Sequence, residues 1–231
     1  MGQSSFDTAT RHRPAWNAGR NLGAKRPLTQ KQFRAIRFHL DREGRLQDRT
    51  HFDLAVDSKL RGCDLEKIKI GNVVAGAYIR NRATVIQQKT NRPAQFELTA
   101  DVRATLLAWL ERRGGSTSDY LFPSRVDPSA HMSTRQYTRL VEEWVTAVGL
   151  RKAEYGTHSL RRTKAAMIYR ATGNIRAIQI LLGHTKIKNT VRYLGPMLKT
   201  LCSWQSELKS NRRSGRSAGL NDRFQLISQM R

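Results

Sequence analysis

Residues 157–194 read THSLRRTKAAMIYRATGNIRAIQILLGHTKIKNTVRYL, three helical stretches broken by glycines, with the chemically active side chains at the breaks. On a helix begun at Thr157, His158 and Arg161 stand three residues apart and share a face. They sit beside a helix N-terminus whose unpaired amides already favour a phosphate. Gly183 supplies a backbone break that holds His184 outside the preceding helix, and Tyr193 follows after another short helical run. Histidine and tyrosine can then converge on the same phosphate.

Working outward, Leu198–Leu208 continues the helical pattern, with Leu198, Leu201, Trp204 and Leu208 forming an apolar stripe. The residues beyond, through Asn211-Arg212-Arg213-Ser214-Gly215-Arg216, read as a basic tail over 210–231, with a short amphipathic patch at Phe224–Ile227. Toward the N-terminus, Tyr137, Leu140, Val141, Trp144 and Val148 recur at helical spacing up to Gly149, and Val102, Leu106 and Leu110 mark a helix capped by Thr99 and stopped at Gly114-Gly115. Between Ile70 and Leu98 the period changes. Val73-Val74, Tyr78-Ile79, Thr84-Val85-Ile86 and Phe96-Glu97-Leu98 are β-prone runs separated by Gly76, Asn81 and the Thr90–Pro93 turn, which predicts a small antiparallel sheet. Phe52, Val56 and Leu60 predict a helix running into Arg61. An earlier helix opens on the capping box Thr29-Gln30-Lys31-Gln32, carries Phe33, Ile36 and Leu40 on one face, and ends at Gly44. Residues 1–27 lack periodicity and read as a flexible basic arm.

Composition narrows the function. Lys and Arg number 42 against 18 Asp and Glu, a net charge of +24 in 231 residues, which calls for a polyanionic partner, nucleic acid first. The two cysteines, Cys63 and Cys202, form no CxxC and no zinc-ligand spacing, so a reduced, intracellular, metal-free protein is expected, with Cys63 buried. The apolar stretches, such as Leu106–Leu110, are far short of a membrane span.

The sequence resembles the tyrosine recombinase, or phage integrase, family. The resemblance rests on His158-x-x-Arg161, on Gly183-His184, on the late Tyr193, and on Arg61-Gly62-Cys63-Asp64, which matches that family's Arg-x-x-Glu/Asp box. It covers the order helix, small sheet, helix from about Leu28 to Leu201, with Lys89 in the turn where the family keeps its catalytic lysine. It implies an α+β, mainly helical fold like the family's catalytic domain, with a small three-stranded antiparallel sheet. On this reading 28–209 is the catalytic domain, and the chain is a short form without the family's N-terminal core-binding domain. The implied site is Arg61, Lys89, His158, Arg161, His184 and the nucleophile Tyr193, acting without a cofactor. The implied partners are double-stranded DNA, further copies of the chain in a tetrameric synapse, and accessory DNA-bending proteins; the implied location is the cytoplasm, at the nucleoid.

The roles follow from what phosphodiester cleavage without a metal demands. A tyrosine hydroxyl attacks phosphorus while fixed cations stabilise the equatorial oxygens. Arg61 and Arg161 suit this because guanidinium stays charged and forks onto two oxygens. Lys89 would protonate the departing 5′ oxygen, and His158 would accept the phenol proton. Two other enzyme or binder classes compete. A type IB topoisomerase uses related residues around one phosphate. A non-catalytic regulator would use Ile175–Leu182, Gly183 and Lys188–Leu194 as a helix-turn-helix, with Lys186, Lys188 and Arg192 on DNA; an inactive integrase remnant is its close relative. The regulator reading gives no reason for Arg61 or the His-x-x-Arg pair.

Overall fold

The computed structural model describes residues 25–195. The helix expected at Leu198–Leu208, the tail 210–231 and most of the arm lie outside them. The element order is α1 (Gln30–Arg42), α2 (Leu46–Ser58), α3 (Gly62–Leu65), α4 (Ile70–Val73), β1 (Val74–Ala75), β2 (Tyr78–Ile79), β3 (Arg82–Ile86), β4 (Pro93–Glu97), α5 (Ala100–Arg113), α6 (Thr134–Ala147), α7 (Thr157–Thr172) and α8 (Ile175–Leu182). A further helical run, α9, occupies 187–195.

The helix α2 is the hub, packed against α1, α5 and α7. Every residue from Asp48 to Ser58 is buried, so the helix has no solvent face and its polar side chains need internal partners. Asp53 pairs with Arg37 at 3.3 Å and with Arg49, and Asp57 takes the Lys164 ammonium at 2.7 Å. His51 meets Glu66 at 2.8 Å between the stacked rings of Phe122 and Tyr137. The capping box of α1 forms as the sequence predicts: Gln32 N–H donates to the Thr29 hydroxyl, and Thr29 N–H donates to the Gln32 side chain. Thr99 does stand at the N-cap of α5, but its side chain makes no capping bond; instead its N–H donates to Asp57 Oδ2 at 2.9 Å.

The three-stranded sheet resolves into two separate hairpins, β1–β2 and β3–β4, each antiparallel. The cause lies at the junction. Strand β2 is two residues long, Arg80 N–H donates back to Val73, and the Asn81 carbonyl accepts from Leu98, so the connecting residues tie each hairpin to itself and leave nothing to join β2 to β3. In β3 the alternation holds, with Ala83 and Val85 buried and their neighbours exposed.

Two apolar clusters result. The main one runs from Leu28 through α2, α5 and α6 to Leu160. A smaller one joins Ala165 and Ala166 of α7 to Ile178 and Leu182 of α8 and Leu194 of α9, with Tyr193 packed against it. The helix α7 therefore belongs to both, its first turns in the main core and its later turns in the satellite.

Candidate active site

Arg61 owes its position to a sharp reversal. Lys59 ends α2 in the left-handed region, φ +56°, an uncommon conformation for a residue with a β-carbon. Leu60 is buried, and Arg61 becomes the N-cap of α3. The short α3 is pinned from below by Leu65 and Glu66, and Gly62 lies so close to the Tyr137 ring that an added β-carbon would sit 3.2 Å from it. Arg61 then donates to Gln87 Oε1 at 3.0 Å, at the start of the β3–β4 turn. Asp64, which is 3.9 Å from Arg61, accepts from Gln88 N–H at 2.8 Å. The acidic member of the Arg-x-x-Asp box thus anchors the hairpin more tightly than it pairs with the arginine.

The head of α7 supplies His158 and Arg161, as its first-turn spacing requires. Arg161 is 8% exposed, its Nε is fully buried, and among the described residues it has neither a hydrogen-bonding partner nor an ion pair. Burial, opposed by Tyr193 and reinforced by Arg61, holds its pKa below the usual guanidinium value. At the other side Gly183 closes α8 with φ +65°, and this left-handed step turns His184 back, its N–H bonded to the Gln179 carbonyl. His184 Nδ1 lies 3.1 Å from the Thr190 hydroxyl of α9, and its ring meets the Tyr193 ring edge-on, centroids 5.5 Å apart.

Tyr193 completes the group. Its hydroxyl is buried and unpartnered, and the phenol is pushed up to about 12 by burial, against the pull of Arg161 and Arg162. Both guanidiniums lie near the ring, at 6.0 and 4.9 Å from its centroid, but neither meets the phenol oxygen in hydrogen-bonding geometry. His158 is open to solvent as a residue, yet partial burial of its ring and the fields of Arg162, Arg161 and Arg61 lower its pKa; His184 is lowered by burial, then by Arg161 and Arg61. Arg61, His158, Arg161, His184 and Tyr193 therefore share one electrostatic neighbourhood. Lys89 does not join them: it is exposed in the β3–β4 turn, two residues beyond the Gln87 that Arg61 holds.

Arg162, Gln87 and Lys59 escaped the sequence reading. Arg162 adjoins the His-x-x-Arg pair, but only the fold shows it lying over the Tyr193 ring. Lys59 is 9% exposed, its pKa pushed down to about 8 by burial and, in part, by Lys164. Cys63 is half-buried rather than buried, and burial with the neighbouring Asp64 raises its thiol pKa. Among the described residues no group of His, Cys, Asp or Glu could hold a metal ion, and no helix is long and apolar enough to cross a membrane.

Comparison with known proteins places the chain in a family. The chain is 33% identical over 141 residues to a tyrosine recombinase XerC of Erythrobacter litoralis, covering 61% of this chain and 44% of that protein. It is 29% identical over 115 residues to a XerD of Caulobacter vibrioides, covering 47% and 37%. The chain thus spans less than half the length of these relatives. Among solved structures, XerA recombinase superposes with a TM-score of 0.62 at 21% identity, over 72% of this chain and 59% of that one. XerH bound to its difH substrate before cleavage gives 0.61 at 18%, over 74% and 50%, and a lambda integrase dimer bound to a core site gives 0.57 at 22%, over 74% and 59%. The fold is that of a tyrosine recombinase catalytic domain. With the family's model matching residues 26–197, most of its length, the chain belongs to the phage integrase family.

Proposed function

We propose that this chain is the catalytic part of a site-specific DNA recombinase that cleaves and rejoins strands through a 3′-phosphotyrosyl intermediate. The observation that carries the proposal is Arg161, a cation 8% exposed and without an acceptor among the described residues, beside a buried phenol that also lacks one. A buried charge left unpaired costs several kcal/mol or more, so the site favours an anion that would occupy it. A phosphodiester meets both needs. The Tyr193 oxygen attacks phosphorus, the phenol proton passes to the neutral imidazole of His158, and Arg61 and Arg161 hold the non-bridging oxygens as their charge grows. The P–O bond to the 5′ oxygen breaks, and that oxygen leaves as a hydroxyl after protonation. Lys89 is the proposed donor, its turn being carried on the hairpin that Arg61 and Asp64 grip. His184, steadied by Thr190, donates to the phosphate. One phosphoester is exchanged for another, so religation needs no further energy source.

The DNA-bound relatives and the charge of +24 support double-stranded DNA as the partner, and the dimeric integrase complex supports assembly of several copies on it. A helix-turn-helix regulator leaves the burial of Arg161 against Tyr193 without a purpose. The decisive experiment is Tyr193→Phe on nicked suicide duplexes. Duplex affinity should persist while the covalent protein–DNA adduct disappears; an adduct formed by the variant would give the nucleophile's role to another residue.

A further inference from the structure

We infer that Arg162 is a positioning residue for Tyr193, holding the phenol in the cleft and coupling its placement to the path of residues 25–29 into α1. This assignment deepens the recombinase reading and rests on it for its consequence in catalysis, although the contact itself does not.

The case is geometric. The Arg162 guanidinium lies over the Tyr193 ring, its carbon 4.9 Å from the centroid, closer than that of Arg161 at 6.0 Å. At the same time its Nη1 donates to the Lys25 carbonyl at 2.6 Å. Its Nε is buried without a partner, and it makes no ion pair among the described residues. One face is covered by the ring, and Nη1 is committed to the backbone. Arginine suits this use and lysine does not, because a planar guanidinium can stack and donate in-plane at once.

The Lys25 carbonyl is itself held in place. The Lys25 ammonium donates to the Ala153 carbonyl at 2.7 Å, and its aliphatic stem lies over Gly156, the N-cap of α7. Arg26 N–H donates to the Glu154 carbonyl at 2.9 Å, and Leu28 N–H donates to the Thr163 hydroxyl at 3.0 Å. Residues 25–28 are thereby strapped across the loop before α7 and the second turn of that helix. Arg162 touches both this strap and the nucleophile's ring. Moving the strap moves the acceptor, and with it the group that covers the ring.

The test is made on the full chain with 3-fluorotyrosine incorporated at position 193. Without DNA, Arg162→Ala should shift and broaden the fluorine resonance, and Lys25→Ala should shift it in the same direction. The double variant should add nothing to Arg162→Ala, since the two act through one contact, and Arg162→Lys should fail to restore the wild-type line. On suicide duplexes, Arg162→Ala should slow adduct formation by about ten- to a hundredfold, as a misplaced reacting atom does, with little change in duplex affinity. Lys25→Ala is a change at a half-buried position that keeps the backbone carbonyl, so it keeps the test open if Arg162→Ala does not fold. An unchanged resonance, an additive double variant, or an equal loss of affinity and adduct rate would overturn the assignment. A wild-type chain that gives no adduct while the fluorine response persists would overturn the recombinase reading instead, and would support the contact proposed here.

Discussion

Tyr193 and His158 are shifted in opposite directions by one cause. Burial disfavours the charged form of each, which raises an acid such as the phenol and lowers a base such as the imidazole. At neutral pH the pair therefore stands as phenol and neutral imidazole, the protonation states a nucleophile and its acceptor need at the start. The arginines work on this pair in one sense: Arg162, Arg161 and Arg61 lower His158 further, and Arg161 and Arg162 partly offset the rise of Tyr193. A pH dependence follows. At sub-saturating duplex, adduct formation should rise from the acid side as His158 loses its proton, with the midpoint of the rise below the ordinary histidine pKa of about 6.5. His158→Gln should abolish that acid limb and lower the plateau by about a hundredfold or more, while His184→Gln should keep the limb. Single-turnover rates between pH 4.5 and 8 check this; a limb centred at or above the ordinary value would remove His158 as the acceptor. The residues that carried the family resemblance were legible because they recur in fixed order along the chain. Arg162 and Gln87 were not, since their significance is a contact across more than twenty residues, which no local spacing encodes.

At the scale of elements, surface helices were the most legible, because α1, α5 and α6 each keep one apolar stripe against a core on one side. The hub α2 was read through Phe52, Val56 and Leu60, yet the helix ends at Ser58 and Leu60 is buried beyond the Lys59 reversal. A helix buried all round has no stripe to read, and its aspartates and His51 look like a solvent face until their partners are placed. The two hairpins show the same limit, since pairing between β-prone runs depends on bonds at Arg80 and Asn81 rather than on alternation. What these elements do for the site is mechanical. Asp64, 3% exposed, is the bolt between α3 and the β3–β4 hairpin. Asp64→Ala should cost about 1.5–3 kcal/mol, the worth of a hydrogen bond to a charged acceptor, and should loosen β3–β4 while α5 and α6 stay protected. Hydrogen exchange resolved by segment checks it, together with denaturant unfolding. Asp64→Asn retains an acceptor oxygen and should recover most of the loss; equal protection of the hairpin in the alanine variant would show that Arg61–Gln87 alone holds it.

The whole molecule explains why the site lies where it does. The main core fixes Arg61 through α3, and the satellite cluster fixes His184 and Tyr193 through α8 and α9, with Arg161 on the helix that belongs to both. The satellite core is small, Ala165, Ala166, Ile178, Leu182 and Leu194, so the area it removes from water stabilises it far less than the main core is stabilised. It should therefore open locally at lower free energy than α2, α5 or α6. In the free protein the positive charges of Arg61 and Arg161 repel each other across this junction and weaken it further. An anion that sits between them reverses the sign of that interaction and bridges the two clusters. Inorganic phosphate, at constant ionic strength set with chloride, should then slow hydrogen exchange in 175–195 while leaving α5 and α6 unchanged. The gain should follow binding to the folded state alone, about 2.7 kcal/mol at a hundred times the dissociation constant. Arg161→Ala should remove the phosphate-specific part and keep only the general effect of screening a chain of charge +24. Protection that rises equally across all helices, or survives in the Arg161 variant, would mean that phosphate acts on the surface charge as a whole and that the two clusters are not joined through the candidate site.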